Sequence, residues 1–184
     1  MPHKFSITTK TGDEGLTSLY SGERVYKNSE RPTVYGEVDM LEAMLGLARA
    51  HAQNDDTRRT LAILQKTLFT INAELATSKE KLGRLKARID EAAVARIDAM
   101  REELEDRVAQ PTDFIISGDC VASAHIDLAK TQARRCERLI VGLFRDGVID
   151  NRHIIVWMNR LSDFLYLLAR REGPNPTLVK SVED

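Results

Sequence analysis

The chain has 184 residues, which is enough for one domain that buries a hydrophobic core without disulfides or metals. Lysine and arginine number 27 and aspartate and glutamate 28, so the net charge of -1 excludes a protein that coats nucleic acid. Hydrophobic residues make up 42% of the chain, yet no apolar run reaches the roughly 18 residues that span a bilayer. The start carries no secretory signal, and Cys120 and Cys136 form no CxxC pair, so we expect a cytoplasmic protein without a membrane partner.

Residues 1–32 contain three glycines among hydroxyl and charged residues, and they show no helical period. We therefore predict a loop region. Its segment Thr9-Lys10-Thr11-Gly12-Asp13-Glu14-Gly15-Leu16-Thr17-Ser18 has the composition of a loop that holds a polyphosphate. Glycines let backbone N–H groups turn towards an anion, while hydroxyls and a lysine add donors and positive charge. An ordinary hairpin or surface turn has the same composition, so both interpretations stay open at this point.

Helical periodicity begins at Thr33 and continues through five segments, each with apolar residues three and four positions apart. The periodic positions are Val38, Leu41, Leu45 and Ala48; Leu61, Leu64, Leu68, Ile71 and Leu75; Ile89, Ala93, Ile97, Met100, Leu104 and Val108; Leu128, Gln132, Cys136, Leu139 and Leu143; and Ile154, Trp157, Met158, Leu161, Leu165 and Leu168. The pattern predicts an all-α, five-helix bundle in a single domain over residues 1–184.

Capping and breaking residues mark the ends of these segments. A helix-start cluster stands at residues 54–57, Pro111 ends the third helix, and Asp150 or Asn151 can cap the fifth. The charged stretch over residues 79–88 is typical of a solvated linker or helix end, although a lysine-rich partner site has the same composition. We expect the bundle to occupy residues 33–172 and the tail residues 173–184, and we expect the polar end of the tail, residues 180–184, to be mobile.

Two predicted helices carry faces that differ from an ordinary solvent surface. Asp39, Ala43, Gly46 and Ala50 fall within roughly 60° of the first helix, where small residues would let another helix approach closely. On the fourth helix a charged face spans roughly 100° and is predicted to lie opposite the apolar stripe; it contains Asp127, Lys130, Arg134, Glu137 and Arg138. An exposed aspartate beside a helix crossing, and a solvated face with i,i+4 ion pairs, are the plain alternatives.

The fifth helix places an amide, a carboxylate, a phenol and a guanidinium on one side, a row that is most often exposed to solvent: Asn159, Asp163, Tyr166 and Arg170. The chain lacks the GxSxG, HExxH and P-loop motifs, and its four histidines show no i,i+4 pairing. The metal ligands, if a metal is used, stay unknown from these patterns.

Four motifs, in this order and spacing, resemble the PduO-type ATP:corrinoid (cob(I)alamin) adenosyltransferases. The segment 9–15 looks like the family's T-x-T-G-D-x-G loop, which Gly22-Glu23-Arg24 and Lys27 continue. Residues 35–39, Tyr-Gly-Glu-Val-Asp, match the G-x-V-D element. Residues 134–138 are similar to the R-R-x-E-R helix, and residues 159–165 to the N-R-L-S-D helix.

The resemblance implies a homotrimer of five-helix bundles that binds ATP and cobalamin between subunits and transfers the 5′-deoxyadenosyl group of ATP to Co(I). Asp39, Lys130 and Arg134 would be the catalytic residues, with Asp39, Lys130 and Phe114 at the corrinoid. ATP with Mg²⁺ would be held by Thr9, Lys10, Thr11, Gly12, Asp13, Thr17, Ser18, Lys27, Arg134, Arg135, Glu137, Arg138 and Asn159. A corrin reductase and an adenosylcobalamin-dependent enzyme are the implied protein partners.

The chain departs from the family pattern at several of these positions. Lys130 stands where the family usually has an arginine, and Asp127 occupies a frequent histidine position. Met40, Glu42 and Glu14 also replace common family residues. A second hypothesis is therefore a trimer of the same fold that binds ATP or corrinoid for delivery or sensing without catalysis, and a third is a helical bundle with a structural role.

Overall fold

A computed structural model describes residues 8–182, so the ends of the predicted loop region and tail, residues 1–7 and 183–184, lie outside the described residues. Five long helices form its body: α1 Glu30–His51, α2 Asp55–Leu75, α3 Glu91–Glu105, α4 Val121–Arg145 and α5 Arg152–Glu172. This confirms the predicted five-helix fold. In space the helices follow the order α2, α1, α4, α5, α3, because α4 packs against both α1 and α5 while α2 and α3 lie outside. Within the described part, no helix combines the length and apolar character needed to cross a membrane.

Side-chain caps start four of the helices where the sequence changes from loop to periodic residues. The Asn54 side chain accepts from the backbone N–H groups of Asp56 and Thr57 at the start of α2. Asp90 caps α3 in the same way. Asn151, rather than Asp150, caps α5. At α4 the Cys120 thiol and the Ser123 side chain form a reciprocal capping box. These bonds satisfy N–H groups that the first turn leaves without helical partners.

The core is built largely from the apolar positions that the periodicity selects, and Ile140 of α4 is an addition. Side chains with at most 1% exposure come from every helix: Val38, Leu41, Leu45, Leu61, Leu64, Leu68, Ile71, Leu75, Ile97, Ile140, Ile154, Leu161, Leu165 and Leu168. Each fully buried leucine or isoleucine contributes about 1.5–3 kcal/mol relative to an exposed one, so this layer stabilises the bundle more than its surface ion pairs.

The predicted orientation of α4 is confirmed at Gln132, Cys136 and Leu143, which are buried, and is wrong at two positions. Leu128 is 48% exposed, whereas Asp127, assigned to a charged outer face, is only 3% exposed. The buried face also contains small residues that the pattern did not select: Ala129 and Ala133. Small side chains let α4 fit between α1 and α5, and a search for large apolar residues does not detect such a face.

Regular structure also occurs within the region predicted as loop. Residues Leu16–Ser18 (β1) and Arg24–Tyr26 (β2) pair as an antiparallel hairpin, and α1 begins at Glu30 rather than at residue 33. Gly22 adopts a φ of 97° in the connection, a conformation that side chains disfavour. These strands are short, so their alternation is too brief to be visible as a pattern.

Helix α3 is shorter than its apolar pattern, because Ile89 and Val108 lie outside Glu91–Glu105. Ile89 is nevertheless buried, just before the Asp90 cap. The side chains at the two ends of a helical pattern can thus join the core from the adjoining loop. Helix boundaries are consequently set by the cap rather than by the last apolar residue.

The C-terminal tail is attached to the bundle through the segment that precedes α4. The backbone N–H of Ile116 donates to the Thr177 carbonyl at 2.8 Å, and the N–H of Val179 donates to the Phe114 carbonyl at 2.9 Å. Asp119 accepts from both the backbone N–H and the hydroxyl of Thr177, and these bonds lower the pKa of its carboxyl. Residues 177–179 of the tail therefore pair with residues 114–116 as a two-segment ribbon. The predicted mobility of residues 180–184 stays a prediction.

Candidate nucleotide and corrinoid site

The threonine and glycine loop is a series of tight turns in front of the hairpin. Lys10 has a positive φ of 58° and Gly15 a φ of 81°. The N–H of Asp13 donates to the Lys10 carbonyl, the N–H of Gly15 donates to the Gly12 carbonyl, and the hydroxyls of Thr9 and Thr11 lie 2.9 Å apart. The loop thereby gathers hydroxyls, backbone and a lysine into one short segment, as an anion-holding loop requires.

Two further cations of the hairpin approach this loop. The Arg24 guanidinium donates to the Thr11 carbonyl at 2.6 Å and to the Ser18 hydroxyl at 3.3 Å. A Cβ added at Gly12 would lie 3.1 Å from Lys27 Nζ, so glycine is what permits the ammonium to lie against the loop backbone. An open cleft at the loop is lined by Lys10, Thr11, Asp13, Glu14, Ser18 and Arg24. Thr17 is half-buried in β1.

The hairpin rests on the 3₁₀ turn Lys79–Arg84 through a small ionic cluster. Lys81 Nζ lies 2.7 Å from Glu23 Oε1 and donates to the Ser21 carbonyl at 3.0 Å. The Ser78 hydroxyl donates to the same Glu23 oxygen at 2.9 Å. The Lys81 ammonium, aided by Ser21, lowers the pKa of Glu23 to about 2. The charged stretch predicted as a solvated linker therefore partly supports the hairpin that follows the candidate loop.

A second cleft lies on the outer face of α4. It is lined by Arg134, Glu137, Arg138 and Val141. Asn159 of α5 joins it, since its amide donates to Glu137 Oε1 at 3.2 Å and its carbonyl oxygen accepts from Arg160 at 2.9 Å. The structure thus brings together Arg134, Glu137, Arg138 and Asn159 as a basic surface with an oriented amide.

Arg135 faces a different neighbour from Arg134. Its guanidinium makes two 2.9 Å bonds to the carboxylate of Glu37 in α1, and Gln132 donates to the same carboxylate at 2.8 Å. Arg135, followed by Gln132, lowers the pKa of Glu37, and Glu37 in turn raises that of Arg135. The Cys136 thiol donates to the Glu37 carbonyl, and burial raises its pKa to about 12. These contacts hold α1 against α4 next to the candidate residues Asp39 and Arg134.

Asp39 and Lys130 do not meet within one chain. Asp39 is exposed on α1, and its carboxylate has no hydrogen-bond or ion-pair partner anywhere in residues 8–182. Lys130 instead lies 2.7 Å from Asp127 Oδ1 on its own helix. Asp127 in turn pairs with Arg170 at 2.6 Å, so Arg170 is buried rather than part of a solvent-facing row on α5.

Phe114 stands on the ribbon that the tail forms with residues 113–116. It is 84% exposed, an unusual position for a large aromatic side chain. Its backbone is held by Val179 and by the Asp113 side chain, which accepts from the Phe114 N–H at 2.8 Å. Asp113 also pairs with Lys180 at 3.0 Å. A fixed backbone under an uncovered ring is what a flat apolar ligand requires.

The candidate residues thus fall into separate places on one chain. The loop cleft contains no residue of α4, and the α4 cleft contains no residue of the loop. In the described portion there is also no cluster of three or more His, Cys, Asp or Glu side chains arranged to hold a metal ion.

Comparison with known proteins identifies the family of the chain. The family model described as cobalamin adenosyltransferase matches residues 7–172. A corrinoid adenosyltransferase of Citrobacter freundii is 35% identical over 172 residues, which cover 94% of this chain and 97% of that relative. The chain belongs to the cobalamin adenosyltransferase family.

Solved structures agree with this membership. A variant PduO-type ATP:corrinoid adenosyltransferase from Lactobacillus reuteri, complexed with cobalamin and ATP, superposes with a TM-score of 0.83 at 28% identity, covering 97% of this chain and 99% of that one. The PduO protein of Salmonella typhimurium strain LT2 is 37% identical over 168 residues. That match spans 91% of this chain but about half, 49%, of the PduO protein.

Three side chains near the candidate residues make contacts that the sequence did not predict: Arg24, Glu37 and Asp127. The loop motif includes Arg24 but gives it no contact of its own. Its bonds to Thr11 and Ser18 depend on the hairpin fold. Glu37 and Asp127 each form an ion pair with a residue on another helix, and a single sequence does not show such contacts. The periodic pattern placed Asp127 on the charged face opposite the apolar stripe, so it gave no signal of its burial.

Proposed function

We propose that this protein transfers the 5′-deoxyadenosyl group of ATP to the cobalt of reduced cobalamin or a related corrinoid. The cobalt–C5′ bond forms, the bond between C5′ and its ester oxygen breaks, and triphosphate leaves. Co(I) supplies the electron pair, so the protein needs no general base. Its tasks are to align the two substrates and to stabilise the charge that develops on the triphosphate.

The observation that carries the proposal is the gathering of cations and hydroxyls around the loop. Lys27 lies against Gly12, Arg24 binds the Thr11 carbonyl, and both lie in a segment that the family model covers. In the proposal the triphosphate lies along this loop, with Thr9, Lys10, Asp13, Thr17 and Ser18 around it. Mg²⁺ would arrive with the phosphates, because this ion commonly needs only one or two protein carboxylates.

Sharing of the site between subunits of a homotrimer explains why the two clefts are separate on one chain. The loop of one subunit would face Arg134, Glu137, Arg138 and Asn159 of its neighbour, which would complete the nucleotide site. Arg135, whose guanidinium is bonded to Glu37, would also belong to the nucleotide site. Asp39, exposed beside small residues on α1, would lie at the subunit contact next to Lys130 of the adjoining chain.

The corrinoid would lie against Phe114. An apolar ring at the lower face excludes water and the cofactor's own base from the cobalt, which makes Co(II) easier to reduce. A reductase must supply that electron, and an adenosylcobalamin-dependent enzyme would receive the product. A reducing compartment such as the cytoplasm suits the chain, since Cys120 and Cys136 are both free thiols in the structure.

The test is anaerobic incubation of the protein with cob(I)alamin and MgATP, followed by the loss of Co(I) absorbance. We expect adenosylcobalamin and triphosphate in equal amounts. Chromatography distinguishes this outcome from ATP hydrolysis, which gives ADP and phosphate. Binding of MgATP or cobalamin by calorimetry without any adenosylcobalamin would favour the second candidate, a delivery or sensing trimer, to which the departures at Met40, Glu42 and Glu14 point.

A further inference from the structure

Asp127 is a buried carboxylate near the start of α4 that the proposed reaction does not use directly. It lies on α4 with 3% exposure, between a lysine of its own helix and an arginine of α5. Oδ1 lies 2.7 Å from Lys130 Nζ, and Oδ2 lies 2.6 Å from Arg170 Nη2. Each oxygen thus serves a different cation, and the carboxylate is fixed by both.

Arg170 is the anchor of this group. Its side chain is 1% exposed, and its Nε and Nη1 atoms have no hydrogen-bond partner among residues 8–182. Asp127 is therefore the carboxylate that compensates its buried charge, and such a pair is strongly constrained because breaking it leaves an unpaired ion in the interior. The position of Asp127 is consequently set by the fold.

Lys130 is held on two sides but remains partly accessible. Besides its bond to Asp127, its ammonium lies 5.5 Å from the centre of the Tyr166 ring, which also faces the Arg170 guanidinium at 5.6 Å. Its side chain keeps 20% exposure. An ammonium has three N–H groups, so donors remain for a ligand or a neighbouring subunit after Asp127 has taken one.

A lysine by itself is a poor substitute for an arginine at a site that needs fixed geometry. Its charge sits at the end of a flexible four-carbon stem, whereas a guanidinium is a rigid planar fork. We propose that Asp127, anchored by Arg170, is a positioning residue that fixes the Lys130 ammonium against Tyr166 and so supplies the geometry that an arginine would hold by itself. This inference rests on the proposed function, in which Lys130 lies beside the corrinoid.

A double-mutant cycle of Asp127→Asn and Lys130→Arg tests the proposal. In the native background we expect Asp127→Asn to lower kcat/KM for cob(I)alamin by about tenfold while the KM for ATP stays the same, because one fixed charge contact is lost. In the Lys130→Arg background the same change should cost no more than about twofold, since the fork keeps its own orientation. An equal loss in both backgrounds, or no loss in either, would overturn the proposal.

A second measurement does not depend on turnover. Competitive acetylation followed by peptide mass spectrometry should show that Asp127→Asn raises the reactivity of Lys130, while the exposed Lys66 on α2 reacts as before. If Lys130 reactivity is unchanged, Asp127 does not hold it. If native protein forms no adenosylcobalamin, the proposed function fails and this measurement alone decides the role of Asp127.

A variant in which both members of the buried ion pair are neutral controls for a failure to fold. Should Asp127→Asn fail to fold because Arg170 is left unpaired, the double variant Asp127→Asn with Arg170→Gln removes both buried charges together. The same kinetic and acetylation measurements are then made in that variant. We expect the same increase in Lys130 reactivity, and an unchanged reactivity would contradict the proposal.

Discussion

At the scale of single residues, Arg134 tests the nucleotide site most directly. Unlike Arg135, whose guanidinium is bonded to Glu37, Arg134 lines the α4 cleft with Glu137 and Arg138. We expect Arg134→Ala to lower kcat by about 10²-fold to 10³-fold, as removal of a donor to developing charge does in other enzymes.

The control for Arg134 is Arg145→Ala at the end of the same helix. Arg145 is exposed and pairs with the adjacent Asp146. Its loss should leave the adenosylation rate within about twofold of native, because exposed pairs of this kind contribute little. Steady-state kinetics with saturating MgATP compare the two variants. Equal rates for native protein and Arg134→Ala would show that Arg134 is not part of the proposed nucleotide site.

The two cysteines should differ sharply in reactivity. Burial raises the pKa of Cys136 to about 12, so almost none of this thiol is ionised at pH 8, and its Sγ is enclosed in the core. Cys120 is half-buried at the cap of α4. A thiol reagent at pH 8 should therefore label Cys120 in the native protein and both cysteines after denaturation. Native labelling of Cys136, detected by peptide mass spectrometry, would contradict this assignment.

At the scale of elements, the hairpin depends on the 3₁₀ turn for its position. Lys81 binds both Glu23 and the Ser21 carbonyl, so Lys81→Met should loosen the hairpin and raise the KM for ATP several-fold. The core lies elsewhere, and we expect Tm to change little. Lys79→Met, an exposed position in the same turn, serves as the control. Similar ATP binding by both variants would show that the turn does not support the loop.

The contact between α1 and α4 should depend on pH through Glu37. Arg135 lowers the pKa of this carboxyl, so the unfolded chain binds its proton first as pH falls. The stabilisation is therefore complete above the ordinary value of 4.5 and is lost as pH drops through the lower folded value. Glu37→Gln should cost about 1 kcal/mol at pH 7, because Arg135 is mostly exposed.

Thermal unfolding over a series of pH values measures this contribution. The difference in Tm between native protein and Glu37→Gln should be largest near neutrality and should shrink below pH 4. A difference that stayed constant down to pH 3 would show that the Glu37 charge is not what stabilises the contact.

At the scale of the whole molecule, the proposed trimer can be disrupted at α1. Ala43 is exposed next to Asp39, and Ala43→Arg places a long cation where a neighbouring helix would have to approach. Light scattering should show three chains for native protein and mostly monomer for Ala43→Arg, with adenosylation lost in parallel. Ala95→Arg, at an exposed position of α3, should remain trimeric. Native protein that is monomeric at micromolar concentration would contradict the shared site.

Much of the fold follows from local patterns in the chain. Five helices, a helix start at residues 54–57 and a cap at Asp150 or Asn151 were predicted, because helical periodicity and capping depend on residues a few positions apart. The loop at residues 9–18 and the basic face at residues 134–138 were selected in the same way, from motifs contiguous in sequence. Their assignment to ATP and corrinoid stays a prediction that the kinetic experiments test.

The sequence by itself determined the five helices, their order along the chain and the family. The tertiary structure decided that Ala129 and Ala133 of α4 face the core while Leu128 does not, because small side chains fit between two helices. It also decided that Asp127 pairs with Arg170, 43 positions away, and that the tail pairs with Phe114. Such contacts join residues distant in the chain, and their free energy depends on packing, burial and charge in three dimensions, which local periodicity does not encode.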